Sequence, residues 1–144
     1  MIVSQILKTK DSTGVVSVKP SDPVAAAVSL LSEKRIGTVV VSVDGVSLDG
    51  ILSERDIVRE MGRRGATCLS DKVAQMMTEK LVTCSPGDTA DAVLEMMTSG
   101  RFRHMPVMEN GAMIGLISIG DVVKARLAEL SMEKDALEGM IMGH

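Results

Sequence analysis

Two short stretches of this 144-residue chain set a hydroxyl and a carboxylate at a spacing that can do chemistry. Gly50-Ile51-Leu52-Ser53-Glu54-Arg55-Asp56 and Gly115-Leu116-Ile117-Ser118-Ile119-Gly120-Asp121 share one form at an offset of 65: Gly, two apolar residues, Ser, two variable residues, Asp. Ser with an acid three positions later is a variant of the capping box that opens a helix. The same arrangement suits a sugar phosphate. A strand feeding a helix N-terminus offers N–H groups to a phosphate. A carboxylate there can accept from both hydroxyls of a ribose, and Gly lets a ligand or another backbone come close. The spacing fits capping alone and capping plus nucleotide binding equally; its duplication favours binding.

Other chemistry is poorly supplied. His104 is the only histidine besides the terminal His144, which is expected to be disordered. No HExxH, Ser/His/Asp or Cys/His pattern surrounds His104, so no catalytic residue and no metal ligand is assigned. Arg55, Arg59, Arg63 and Arg64 read first as a solvated face, with Arg55, inside the motif, a candidate for phosphate. Cys68 and Cys84 lack CxxC spacing and read as reduced thiols, Cys84 buried on a strand and Cys68 exposed in a linker. Phe102 is the only aromatic residue, which argues against binders that stack bases on aromatic rings. A net charge of −3 disfavours a nucleic-acid partner. The first eight residues do not look like a secretory signal and no long apolar run suggests a membrane span, so a cytoplasmic location is expected.

The elements that must hold the two motifs also come twice. Pro20-Ser21-Asp22-Pro23 matches Pro86-Gly87-Asp88-Thr89, and Val3-Ser4-Gln5-Ile6-Leu7 echoes Val73-Ala74-Gln75-Met76-Met77. In the first repeat the patterns predict a strand at Val15–Val18 and a helix capped by Ser21 or Asp22 and running to about Lys34. A buried strand over Thr38–Val43, a turn at Asp44-Gly45, a strand through Leu48–Leu52 and a helix from Ser53 follow. The second repeat gives a strand at Leu81–Cys84, a helix from Asp88 to Ser99, strands at Met105–Met108 and Met113–Ile117 around Asn110-Gly111, and a helix from Ser118. The divisions are residues 1–66, a linker at 67–72, residues 73–127 and a helical tail at 128–144. Each repeat is too small for a comfortable core alone, so the two are expected to pack on each other.

Tandem β-α-β-β-α units, each carrying Gly-hydrophobic-hydrophobic-Ser-x-x-Asp, resemble a pair of cystathionine-β-synthase (CBS) domains, a Bateman module of the stand-alone bacterial type. The stretch Gly100-Arg101-Phe102-Arg103-His104-Met105-Pro106-Val107 fits as well. The resemblance implies an α/β fold of two CBS repeats packed about a pseudo-twofold axis, plus a C-terminal helix. It implies an adenosyl ligand (AMP, ADP, ATP, NAD(H) or S-adenosylmethionine) in clefts between the repeats. Carried over, Asp56 and Asp121 would hold ribose hydroxyls, and Ser53 and Ser118 would contact ribose or phosphate. The backbone around Val18, Lys19 and Pro20, and around Thr83, Cys84 and Ser85, would edge the adenine, with Ile51 and Ile117 pressing on the ring. Phosphate would be met just before the second strand of the other repeat: Arg103 and His104 for the ligand on Asp56, but only Gly37 and Thr38, with Arg35 nearby, for the ligand on Asp121. The Asp56 cleft would then be the better site for a phosphorylated ligand.

The function expected is that of a non-enzymatic sensor: it binds an adenine nucleotide, with AMP favoured and no catalytic cofactor, and modulates a partner protein in trans. Val123, Leu127, Leu130, Leu137 and Ile141 form an apolar stripe of heptad type, which with the resemblance favours a homodimer. The alternatives are a structural dimerisation module without a physiological ligand and a sensor of S-adenosylmethionine. An enzyme would need a nucleophile with its base, a metal cluster or an acid/base pair in one cleft.

Overall fold

A computed structural model describes residues 1–10 and 15–142; His144 lies outside the described residues. The order is α1 (Val3–Thr9), β1 (Ser17–Val18), α2 (Val24–Lys34), β2 (Thr38–Val41), β3 (Gly50–Ser53), α3 (Glu54–Arg64), a 3-10 helix (Gly65–Ser70), α4 (Val73–Met76), α5 (Ala90–Gly100), β4 (His104–Glu109), β5 (Ala112–Ser118) and α6 (Ile119–Met142). Contacts divide the chain into two compact units. The Asp56 unit comprises Gly14–Val82 and Met108–Ile114; the Asp121 unit comprises Met1–Thr13, Thr83–Val107 and Gly115–His144.

In the Asp56 unit β2 lies between β1, parallel to it, and β3, antiparallel. Val39, Val40 and Val41 of β2 are fully buried, as expected of a continuous β-branched run covered on both faces. Helices α2 and α5 both end on an arginine in the left-handed region, Arg35 at φ 55° and Arg101 at φ 56°. The next N–H then turns back: Ile36 N donates to Leu31 O and Phe102 N to Met97 O, closing each helix and seating an apolar residue on the core. The β4–β5 turn, Asn110 at φ 52° and Gly111 at φ 78°, is of the primed hairpin kind that an Asn-Gly pair favours.

Several expectations are corrected. Leu81–Cys84 is not a strand; a single parallel bridge joins Cys84 to Val107. In the first repeat Val40 N donates to Val16 O, and the residue 66 positions on is Pro106, which has no N–H to give. Neither Ser21 nor Asp22 caps α2. Pro23 is the N-cap, and the Val24 N–H donates to Asp71 O at 2.8 Å. Strand β2 stops at Val41 because the Asp44 carboxylate gathers the chain into a turn, accepting from Val46 N, Ser47 N and Ser47 Oγ. Cys68, expected in the open, is fully buried in the 3-10 helix. The stripe from Val123 to Ile141, expected on one helix, does lie on one, since α6 runs unbroken from Ile119 to Met142.

The packing units also differ from the sequence repeats. Helix α1 opens the first repeat, yet Val3 and Ile6 are buried in the core of the Asp121 unit with Val93, Met97 and Ile117. Helix α4 opens the second repeat, yet Val73 is buried in the core of the Asp56 unit with Val24, Leu31 and Leu52. The backbone repeats the exchange bond for bond. Val3 N donates to Asp88 O and Val73 N to Asp22 O, each at 2.8 Å; Ala90 N donates to Met1 O at 2.9 Å as Val24 N does to Asp71 O. Each repeat lends its leading helix to the other's core.

Candidate functional site

Both motifs form capping boxes. Asp56 Oδ2 accepts from Ser53 N at 3.0 Å and from Ser53 Oγ at 2.9 Å, and Asp56 N donates to Ser53 Oγ at 3.2 Å. Asp121 Oδ2 accepts from Ser118 N at 2.8 Å, and Asp121 N donates to Ser118 Oγ at 3.1 Å. Each helix start is also tied to the residue preceding β2 or its counterpart β4 in the same repeat: Glu54 N donates to Gly37 O at 2.9 Å and Ile119 N to Arg103 O at 2.8 Å. Two carboxylates are thereby held in the same orientation at two helix starts.

The glycines of the motifs face protein. A Cβ on Gly50 would lie 2.8 Å from Thr78 O and 2.9 Å from Met77 Sδ; one on Gly115 would lie 2.7 Å from Leu7 Cδ2. Of the two uses that sequence allows a glycine here, this is close approach of another segment, in each case the lent helix or the residues just after it.

The two carboxylates have different cationic partners. Asp56 Oδ1 accepts from Arg59 Nη2 at 2.9 Å, one turn along the same helix, on a guanidinium 65% exposed. Asp121 Oδ2 takes Lys10 Nζ at 2.9 Å, in a pair only 25% and 26% exposed. The same ammonium donates to Leu116 O at 2.7 Å. Burial pushes the Asp121 carboxyl upward, but the Ser118 N–H and Lys10 outweigh it and hold the group below the ordinary aspartate value. Lys10 precedes Asp121 by 111 residues and belongs to no motif, so spacing could not reveal it; the echo of 3–7 in 73–77 was the only hint that the leading segments matter.

The remaining expected site residues fall as follows. The Asp56 unit holds Val18, Lys19, Thr38, Ile51, Ser53, Arg55 and Asp56; the Asp121 unit holds Thr83, Arg103, His104, Ile117, Ser118 and Asp121. Val18 and Thr38 are buried, Ile51 and His104 half-buried, and Lys19, Arg55, Thr83 and Arg103 exposed. The segments expected to edge a base are locked as a matching pair of turns: Lys19 N donates to Asp22 Oδ2 at 2.9 Å and Ser85 N to Asp88 Oδ2 at 2.8 Å. That is what the repeated aspartate does in place of capping. Ile117 corrects the sequence reading: period-two alternation turns it fully into the core, as it does Leu52, and the counterpart of the half-buried Ile51 is Leu116. Arg59, Arg63 and Arg64 are paired with Asp56, Glu60 and Asp71 on or beside α3, as a solvated face would be. Burial, with the Asp88 charge, pushes the Cys84 thiol up to about 12, so it is no nucleophile at neutral pH. Among the described residues no cluster of His, Cys, Asp or Glu could hold a metal ion, and no helix is long and apolar enough to cross a membrane.

The duplicated unit matches the family model described as CBS domain twice, over residues 3–63 and 73–128. The mitochondrial CBS domain-containing protein CBSX3 of Arabidopsis thaliana is 35% identical over 148 residues, covering 98% of this chain and 72% of that one. The crystal structure of a CBS-domain-containing protein of Agrobacterium tumefaciens superposes with a TM-score of 0.82 at 42% identity, covering 88% of this chain and 99% of the other. That of CBSX2 in complex with AMP superposes with a TM-score of 0.73 at 25% identity, covering 88% and 96%.

Proposed function

The chain belongs to the CBS-domain family, and on that premise we propose that it is a regulatory module that senses an adenosyl nucleotide, AMP being the favoured ligand. One observation carries the reading. A carboxylate and a seryl group are held in the same geometry at two helix N-termini, where N–H groups suit a phosphate and the carboxylate suits a ribose. The similarity to CBSX2, solved in complex with AMP, supports the choice of ligand. Asp56 and Asp121 are the proposed acceptors of ribose hydroxyls, and Arg103 and His104 proposed phosphate contacts. Phe102, the single Phe, Tyr or Trp of the sequence, packs against the core of the Asp121 unit, so the affinity rests on sugar and phosphate. Ligand acts on a partner protein only through unequal affinity for two states of this one. The α6 stripe, with Leu127 62%, Leu137 57% and Ile141 74% exposed, supports a homodimer.

A thermal-shift panel with AMP, ADP, ATP, NADH and S-adenosylmethionine tests the reading. Ligand at 100 times its Kd adds about 2.7 kcal/mol, which raises Tm by roughly 5–10 °C in a chain of this size. Asp56→Ala and Asp121→Ala should each reduce the AMP shift, and Arg103→Ala should weaken AMP more than Arg35→Ala. No shift with any of the five would leave the structural dimerisation module as the better reading. A larger shift with S-adenosylmethionine than with AMP would move the proposal to that ligand.

A further inference from the structure

The Asp121 unit contains a pocket of about 280 Å³. Ile6 and Ala125 give it an apolar wall; Thr9, Lys10, Asp121 and Lys124 give it a polar end. Two lysines and one aspartate line that end, and the Met1 ammonium that also borders the pocket is paired with Glu129, so the polar end carries a net positive charge. Lys10 Nζ spends two of its three donors on Leu116 O and Asp121 Oδ2. Asp121 uses Oδ2 for both Ser118 N and Lys10, and among the described residues no hydrogen bond reaches Oδ1. The cavity therefore offers an acceptor for a hydroxyl, donors for an anion and a small apolar surface.

We propose that Lys10 and Lys124 are the phosphate-binding pair of the Asp121 pocket, whose ligand is a phosphomonoester of a hydroxyl-bearing nucleoside. This rests on the reading of Asp121 as an acceptor of ribose hydroxyls, and it supplies the cation that the sequence places at the other cleft. The two lysines reach the pocket from different directions in the chain, Lys124 from α6 and Lys10 from the helix lent by the first repeat. The volume, just below the roughly 300–1,000 Å³ usual for small-molecule sites, suits a mononucleotide. Asp56 lacks this pairing, since its cation is Arg59 on an exposed turn of its own helix.

The test is calorimetric titration of an Asp56→Asn background, which confines binding to the Asp121 pocket, with AMP, adenosine and ribose 5-phosphate. AMP should bind more tightly than adenosine. Lys10→Met and Lys124→Met should each weaken AMP by about tenfold, the worth of one charge-assisted hydrogen bond, and leave adenosine within twofold. Comparable tightness for ribose 5-phosphate and AMP would show that the sugar phosphate, not the base, is recognised. Lys124 makes no ion pair among the described residues, so its replacement probes charge without unhooking α1 as Lys10→Met could. Equal losses for AMP and adenosine, unchanged AMP affinity in both variants, or no AMP binding in the Asp56→Asn protein while the parent binds it, each overturns the inference and leaves the proposed function standing. No AMP binding by the parent overturns both.

Discussion

Replacing Gly50 by alanine decides what that glycine is for. The added Cβ would stand 2.8 Å from Thr78 O and 2.9 Å from Met77 Sδ, and backbone cannot swing aside as a side-chain tip can. The segment must retreat, and with it go two hydrogen bonds, Ile51 N to Thr78 O at 3.1 Å and Thr78 N to Ile51 O at 2.8 Å. Each contributes about 1 kcal/mol net, and forcing a methyl into a filled site costs about 1–3 kcal/mol. Alanine returns about 0.4–1 kcal/mol by restricting the unfolded chain. The balance is a loss of about 2–4.5 kcal/mol, or roughly 6–14 °C in Tm. The assay is a circular-dichroism melt of the ligand-free protein. Gly62, in the last turn of α3 with open space where its Cβ would be, is the control: Gly62→Ala should raise stability, by up to about 1 kcal/mol. If Gly50→Ala leaves the ligand-free Tm unchanged and lowers only AMP affinity, the glycine serves ligand approach and the packing argument is wrong.

Lowering pH should expose the Lys10–Asp121 pair. Because the folded carboxyl sits below its ordinary 3.8, its contribution is complete above that value and is lost as pH falls through the lower folded value. Lys10→Met should therefore flatten the acid limb of a Tm-against-pH curve, and an identical limb in both proteins would contradict the assignment. Cys68 and Cys84 are buried, so a thiol reagent should modify neither at neutral pH until the chain is unfolded; rapid labelling of the native protein would show that one of the two is open. Ser118→Ala removes the cap that receives Asp121 N and should cost about 1 kcal/mol, read by denaturant titration; a change below a few tenths would mean the cap contributes little there.

What was legible in the sequence was local. The β-branched run from Thr38, the Asn110-Gly111 turn and the Ser-x-x-Asp spacing each specify a conformation through nearest neighbours; the turn and the capping spacing stand where expected, and the strand differs only in stopping at Val41. What was not legible depended on distant partners. Leu81–Cys84 has strand composition, but its pairing is decided by Pro106, more than twenty residues later. Asp22 looks like a cap because caps and turn locks use the same side chain, and only the Lys19 N–H distinguishes them. Ile117 and Leu116 are both aliphatic, and the register of β5 alone says which faces the core. Lys10 was invisible because its partner lies on an element the repeat pattern assigns to the other half of the chain.

The lent helices make the two repeats interdependent in a way that their similarity hides. A fragment of residues 67–144 keeps its own motif and most of its core but lacks Val3 and Ile6, which are 0% and 1% exposed in that core. Burying two such side chains is worth about 3–6 kcal/mol in all, comparable with the entire 5–15 kcal/mol stability of a typical domain. It also leaves Asp88 O and the Ala90 N–H without the partners that α1 and Met1 supply. The fragment alone should melt without a cooperative transition. A synthetic peptide of residues 1–10 should restore one, whereas the fragment's own residues 73–82, which carry the equivalent helix of the other repeat, should not substitute for it, because Met76 is unbranched where Ile6 is β-branched and that segment's partners lie in the other unit. Cooperative melting of the fragment without peptide would mean that the exchanged helix is dispensable and that the sequence repeat, after all, is the folding unit.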